Sequence, residues 1–338
     1  MRHRLTGIYA LLAIANLGGW VWALAAFRAH PVLLGTAFLA YTFGLRHAVD
    51  ADHIAAIDNV TRVLMQRGQR PVSVGFFFAL GHSTIVVLAS LGVAAGTAAL
   101  QSRFAALREV GGLVGTSVSA LFLFAVASAN MIVLGGVYRT FRRVRQGGVY
   151  SGEEFDRLLE QRGVLVRLFR PAFRLVSRAW HMYPIGFLFG LGFDTATEIA
   201  VLGISAAEAT QGLSIWSIMV FPVLFTAGMS LVDTTDGVLM IGAYRWALAR
   251  PVRKLYYNLT ITAVSVLVAL VVGGIEVLGL VGDRFGLGGP FWEFVGGLND
   301  NFGVLGYLIV AIFALSWLVS LAIYRIRRYD AIELGREG

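Results

Sequence analysis

The apolar residues of this 338-residue chain fall into eight long stretches. The stretches are residues 6–27, 31–65, 72–100, 112–138, 183–208, 213–243, 259–281 and 302–324. Each is long enough to cross the hydrocarbon core of a bilayer, which takes about 20 helical residues. Backbone groups in lipid must be paired internally, and a helix pairs them along its own length. The pattern therefore predicts an all-α, polytopic membrane protein with eight transmembrane helices, in which residues 1–338 form a single transmembrane domain and no soluble domain.

The composition supports a membrane protein and excludes several kinds of site. Hydrophobic residues make up 57% of the chain and charged residues only 14%, whereas about 25% of an ordinary globular domain is charged. The chain has no cysteine, which excludes disulfides and thiolate metal ligands. The net charge of +8 follows membrane topology, as described next, so we expect the lipid bilayer and no nucleic acid as a partner.

The basic residues are distributed asymmetrically between the connecting segments. With the N-terminus in the cytoplasm, four arginines fall on the outer side, namely Arg28, Arg103, Arg108 and Arg284. Arg46 falls within the membrane, and all other members of the 28 basic residues fall on the cytoplasmic side. This bias follows the positive-inside rule. It predicts a multi-pass protein of the cytoplasmic (plasma or inner) membrane with both termini in the cytoplasm.

Residues 139–180 form the only sizeable connecting segment. They combine many arginines with short apolar runs, a composition typical of amphipathic helices that lie on a membrane surface. We expect an amphipathic, basic cytoplasmic loop, with a gate or regulatory segment as the alternative.

The second apolar stretch is interrupted by the sequence Arg46-His47-Ala48-Val49-Asp50-Ala51-Asp52-His53. Ionisable residues are costly in a bilayer and usually functional there, and two imidazoles with two carboxylates suit a divalent first-row metal ion. On a straight helix, with about 100° per residue, His47, Asp50 and His53 share one face. Asp58 returns close to that face. Asp52 points away and is expected to support a ligand from behind. A cluster of charges at a helix end in water is disfavoured by the apolar flanks.

Other polar residues lie within the third, fifth and sixth stretches. His82 in the third is either a ligand, a partner of a ligand or an ordinary core histidine. Asp194 and Glu198 are four residues apart in the fifth, and Asp233 and Asp236 are three apart in the sixth, so each pair shares a helix face. Four acids in apolar spans require cations or protons. They predict a path for a cation, on which we also place Asp58.

Two similar segments indicate an internal repeat. Phe43-Gly44-Leu45 precedes the polar residues of the second stretch, and Phe189-Gly190-Leu191 precedes the acids of the fifth. Gly81 and Gly228 follow the glycines of these tripeptides by 37 and 38 residues. The second and fifth stretches cross the membrane in opposite directions, so the match favours an inverted repeat with a site at its interface.

Four motifs together resemble the nickel/cobalt transporter family. They are Arg46-His47-Ala48-Val49-Asp50-Ala51-Asp52-His53-Ile54, Leu80-Gly81-His82-Ser83, Leu191-Gly192-Phe193-Asp194-Thr195-Ala196-Thr197-Glu198 and Gly228-Met229-Ser230-Leu231-Val232-Asp233-Thr234-Thr235-Asp236-Gly237. They occur in the order in which the family carries them. The resemblance implies a single-component, high-affinity uptake permease for Ni²⁺ or Co²⁺, with eight helices and a signature carried by His47, Asp52 and His53.

The resulting expectation is a secondary transporter that moves Ni²⁺ or Co²⁺ into the cytoplasm. His47, Asp50, Asp52, His53 and His82 are the candidate metal residues. The metal ion is the substrate, no cofactor is expected, the protein is not an enzyme, and no sequence pattern sets an oligomeric state. A transporter of Zn²⁺, Fe²⁺ or Mn²⁺ is one alternative. The other is a membrane acyltransferase in which Asp52 orients the general base His47, but such an enzyme needs a surface for its acyl donor and leaves the acids of the later stretches unexplained.

Overall fold

The structure is a computed structural model that describes residues 2–95, 98–146, 176–192, 196–247 and 251–326. Regular structure in these ranges is entirely helical. The helices are α1 (Arg2–Phe27), α2 (Pro31–His47), α3 (Ala51–Gln66), α4 (Val74–Ala95), α5 (Ala98–Arg145), α6 (Met182–Phe189), α7 (Ala196–Thr210), α8 (Ile215–Ile218), α9 (Val220–Ala247), α10 (Pro251–Phe285), α11 (Pro290–Asn299) and α12 (Phe302–Ile326). Most of the expected loop at residues 139–180 lies outside the described residues.

Six helical segments of the described chain are long and apolar enough to cross a membrane. They are His3–Phe27, Val74–Ala95, Val110–Thr140, Ile215–Tyr244, Leu259–Phe285 and Phe302–Ser320. A seventh span forms only if α2 and α3 are taken together, with a bend of 51° between them. The fifth stretch expected from the sequence is divided between α6 and α7, with a turn after Phe189. The protein is therefore a helical, multi-pass membrane protein with two interrupted helices.

The break between α2 and α3 corrects the expectation of one straight helix. The helix ends at His47, and Asp50 takes an extended conformation (φ −64°, ψ 148°) as the residue that precedes α3. The backbone there is covered by α12, since a Cβ atom on Gly306 would collide with the carbonyl group of Val49. Irregular backbone at membrane depth is tolerated only where protein or a cavity covers it. The assumption of a shared helix face for His47, Asp50 and His53 is therefore wrong.

Glycines bring the helices around this break into direct contact. Gly44 of α2 faces the carbonyl of Phe225 on α9, and Gly228 of α9 faces the carbonyl of Tyr41 on α2. A Cβ atom at Gly75 of α4 would meet the carbonyl of Asp233 on α9. Small residues of this kind allow helix backbones to approach closely within a membrane.

A second reciprocal contact joins α4 to α6. Gly81 of α4 faces the carbonyl of Tyr183, and Gly186 of α6 faces the carbonyl of Phe78. α4 also packs on α3, α7 and α9, so the middle of α4, with His82, is buried among helices.

Candidate metal site

Three histidines meet at the break between α2 and α3. His47 is the last residue of α2, His53 lies in the first turn of α3, and His82 lies in the middle of α4. Their ring centroids are 4.7 to 4.8 Å apart, and none of the three residues is more than 3% exposed. One nitrogen of each ring lies within 4.8 Å of the others. The three imidazoles can therefore contact a single ion.

Asp50 sets the orientation of the His47 ring. Its Oδ2 atom lies 2.8 Å from Nδ1 of His47, a distance typical of a hydrogen bond from the imidazole to the carboxylate. The bond leaves Nε2 of His47 free to face His82, whose Nε2 lies 2.9 Å away. A carboxylate behind a histidine fixes the ring orientation and raises its basicity as a metal ligand. The structure thus places Asp50 behind a candidate ligand, in the position expected for Asp52.

Asp233 has the same relation to His53. Both of its carboxylate oxygens lie 3.3 Å from Nδ1 of His53, and both residues are fully buried. The other ring nitrogen, Nε2, is buried and makes no hydrogen bond within the described part of the chain. Sequence reasoning placed Asp233 along a path, whereas the structure brings it into contact with the histidine cluster.

Glu198 adds a carboxylate oxygen to the cluster. Its Oε1 atom lies 2.7 Å from Nε2 of His82 and 3.8 Å from Nε2 of His47. When metal–nitrogen bonds are about 2.0–2.1 Å long, two ligands at right angles lie about 3 Å apart. The separations of 2.7 Å between Glu198 and His82 and of 2.9 Å between His82 and His47 are close to this value, and the 3.8 Å between Glu198 and His47 corresponds to a wider angle at a shared ion. Glu198, which the sequence placed on the path, lies next to two of the three histidines.

The remaining acids expected from the sequence lie around the cluster or outside the described residues. Asp52 is half buried in the first turn of α3 and lies within electrostatic range of His53. Asp58 lies farther along α3, is fully buried and accepts a hydrogen bond from the hydroxyl of Tyr244. Asp236 lies within electrostatic range of Asp58. Asp194 falls outside the described residues.

A buried polar network beside Asp58 was not expected from the sequence. Arg62, placed by sequence reasoning at the cytoplasmic surface, is only 2% exposed. Its Nη2 atom donates to Oδ1 of Asn59 at 2.7 Å, and Asn130 of α5 donates to the same oxygen at 2.9 Å. The sequence feature that could have indicated this network is Asn130, a polar residue within the otherwise apolar fourth stretch.

Comparisons with known proteins show relatives that cover nearly the whole chain. A family model described as high-affinity nickel-transport protein matches residues 33–323. The chain is 61% identical to a high-affinity nickel transport protein of Cupriavidus necator over 98% of this chain and 95% of the relative. It is 54% identical to the hydrogenase nickel incorporation protein HupN of Bradyrhizobium diazoefficiens, over 94% of this chain and 83% of the relative. It is 42% identical to the cobalt transport protein NhlF of Rhodococcus rhodochrous, over 95% of this chain and 92% of the relative. No solved structure matches the chain significantly.

Proposed function

The chain belongs to the high-affinity nickel-transport family, and from that premise we propose that it moves Ni²⁺ or Co²⁺ into the cytoplasm as a secondary transporter. Membership of this family makes the protein a transporter and not an enzyme, which sets aside the acyltransferase alternative. Relatives named for nickel and for cobalt both cover nearly the whole chain. They support either ion as the substrate.

The observation that carries the proposal is the convergence of His47, His53 and His82. Carboxylates contact Nδ1 of His47 and of His53 and leave Nε2 of both rings for an ion, and Nε2 of His47 lies 2.9 Å from Nε2 of His82. Imidazole ligands favour Ni²⁺ and Co²⁺ over Mn²⁺ in the usual order of divalent affinities. Glu198 would supply an oxygen ligand to the same ion.

The acids of α3 and α9 support a route from this site. His53 contacts Asp233 and, farther along both helices, Asp58 contacts Tyr244. The two helices therefore leave the site in the same direction. At about 1.5 Å per residue, Asp58 and Asp236 lie beyond the histidines on one side. We place both on the path of the ion, together with Asp194 by its sequence position.

The topology that best fits this function has eight spans. The six long helices, the bent pair α2 and α3, and the interrupted pair α6 and α7 make up that number. The first halves of the two interrupted spans, α2 and α6, pack through reciprocal glycine contacts on α9 and α4 respectively. An inverted repeat would produce two equivalent helix pairs of this kind, with the site between the two repeats.

Both termini and residues 139–180 are proposed to face the cytoplasm because most basic residues lie on that side. Since the chain has no cysteine, a Gln146→Cys variant carries a single thiol. We expect it to react with a membrane-impermeant maleimide only after the cells are opened. Reaction in intact cells would exclude the proposed orientation.

The function is tested by uptake of radiolabelled Ni²⁺ and Co²⁺ into liposomes that contain the purified protein. We expect saturable uptake of both ions and weak competition by Mn²⁺. His82→Ala should abolish uptake, whereas His30→Ala, which changes an exposed histidine, should not. Preferred uptake of Zn²⁺ or Mn²⁺, or full uptake by His82→Ala, would contradict the proposal.

A further inference from the structure

A groove lies between the first turns of α1, the start of α4 and residues 176–179. Its volume is about 730 Å³. Its lining includes the apolar residues Ile8, Leu11 and Phe76, here called the floor, and the exposed residues Arg4 and Arg178, here called the rim. Arg70 joins them from the segment that connects α3 to α4. Neither the histidine cluster nor the acidic path includes any of these residues.

The rim of the groove is held by contacts between two distant segments. Nε2 of Gln69 donates to the carbonyl of Ser177 at 2.9 Å, and Nη1 of Arg67 donates to the carbonyl of Val176 at 3.1 Å. These bonds join the two segments that carry Arg70 and Arg178, and both arginines line the same groove. Among the described residues, no carboxylate forms an ion pair with Arg4, Arg70 or Arg178.

The groove spans the boundary between the polar and apolar parts of the membrane. The apolar segments of α1 and α4 begin at His3 and Val74, so Arg4 and Arg70 lie within a few residues of the level at which the chain enters the hydrocarbon. Ile8 and Phe76 lie deeper along the same helices. Arginine binds phosphate oxygens with its planar fork of donors, and an apolar floor below such a fork suits an acyl chain.

We propose that this groove binds an anionic phospholipid of the membrane, with its phosphate between Arg4, Arg70 and Arg178 and an acyl chain against the apolar floor. Basic pockets between transmembrane helices are suited to anionic headgroups. A free phosphate ion would use the arginines but leave the floor uncovered, so charge and apolar surface together favour a lipid. The proposal is independent of which metal ion the protein carries.

The test measures lipid retention and thermal unfolding of the full chain purified in a neutral detergent. We expect added phosphatidylglycerol to bind and to raise the unfolding temperature, while phosphatidylcholine and inorganic phosphate do neither. Because each arginine near an anionic surface contributes about 1 kcal/mol, the double variant Arg4→Gln/Arg178→Gln should bind phosphatidylglycerol on the order of 30-fold more weakly. The matched control Arg28→Gln/Arg142→Gln removes two exposed arginines elsewhere and should bind as the unchanged protein does.

A second variant keeps the arginines and fills the floor. Gly7 lines the groove and has open space around its Cα atom, so Gly7→Phe should displace the acyl chain. Phenylalanine is also a better helix former than glycine, which keeps this variant folded and makes it decisive if the double variant fails to fold. Equal retention of phosphatidylcholine, equal protection by inorganic phosphate, or unchanged lipid binding by Gly7→Phe would each overturn the proposal.

Discussion

Asp233 on α9 lies 3.3 Å from Nδ1 of His53 on α3, although 180 residues separate the two in the chain. The contact joins the two halves of the protein at the histidine cluster. It also repeats, across helices, the local relation of Asp50 to His47. In both pairs a carboxylate contacts Nδ1 of an imidazole and leaves Nε2 available to a metal ion, an arrangement common behind metal-binding histidines.

The first prediction concerns this contact. Asp233→Asn preserves the volume of the side chain but removes the charge that orients His53, so Ni²⁺ affinity should fall by about 10- to 100-fold. Isothermal titration of Ni²⁺ into the purified protein measures the change. Asp283→Asn, an exposed acid at the end of α10, is the matched control. An undiminished affinity in Asp233→Asn would show that the contact does not support the site.

A second prediction separates the ligand from the residue behind it. His47→Ala removes a nitrogen that faces His82, so high-affinity Ni²⁺ binding should be lost. Asp50→Asn retains the ring and removes only its partner at Nδ1, so a reduction of about 10- to 100-fold is expected. The same titration compares the two variants. If Asp50→Asn removed binding as completely as His47→Ala, Asp50 would itself be a ligand.

The amino-acid pattern accounts for much of the helical architecture because lipid forces long apolar segments to be helical. The expectation of metal residues at His47, His53 and His82 followed from polar groups within such segments, and the structure brings these three together. Helical periodicity could not reveal the break after His47, since it assumes a continuous helix. Nor could it place Glu198 beside His82, because that contact depends on how distant helices pack.

A third prediction concerns the contact between α12 and the irregular residues that connect α2 to α3. A Cβ atom on Gly303 would lie 3.2 Å from both Nε of Arg46 and Oδ1 of Asp50. Arg46 can move, but Asp50 is tied to His47, so Gly303→Ala should displace Asp50. We expect Ni²⁺ affinity to fall by about three- to tenfold, which is less than the 10- to 100-fold loss expected when an outer partner of a ligand is removed altogether.

Two other glycines provide the comparison for Gly303→Ala. A Cβ atom on Gly306 would collide with the carbonyl of Val49. A backbone carbonyl cannot move aside as easily as a side chain, so Gly306→Ala should cost about 1–3 kcal/mol of stability. Gly297 on α11 has no neighbour within 4 Å of its Cβ position, and Gly297→Ala should lower neither the stability nor the Ni²⁺ affinity. Thermal unfolding and Ni²⁺ titration together separate these outcomes. Equal Ni²⁺ affinity in Gly303→Ala and Gly297→Ala would show that the contact of α12 with Asp50 does not support metal binding.

The last prediction distinguishes a hydrogen bond that stabilises the core from an acid whose charge serves the moving ion. Tyr244 donates a hydrogen bond to Asp58 in the core, and Tyr244→Phe leaves that carboxylate with one donor fewer. Removal of a partner from a buried polar group costs about 1–3 kcal/mol, so this variant should unfold at a lower temperature. Its Ni²⁺ uptake per folded molecule should remain close to that of the unchanged protein.

Asp236→Asn should have the opposite effect to Tyr244→Phe. Its Oδ2 atom is buried and makes no hydrogen bond to any described residue, so Asp236→Asn removes a costly charge without breaking a bond to that oxygen. Stability should be unchanged or higher, while uptake falls because a passing cation loses an anionic contact. Thermal unfolding and liposome uptake, measured on the same preparations, decide between the roles. If Asp236→Asn unfolded more easily and transported normally per folded molecule, the acid would be structural and the path would have to lie elsewhere.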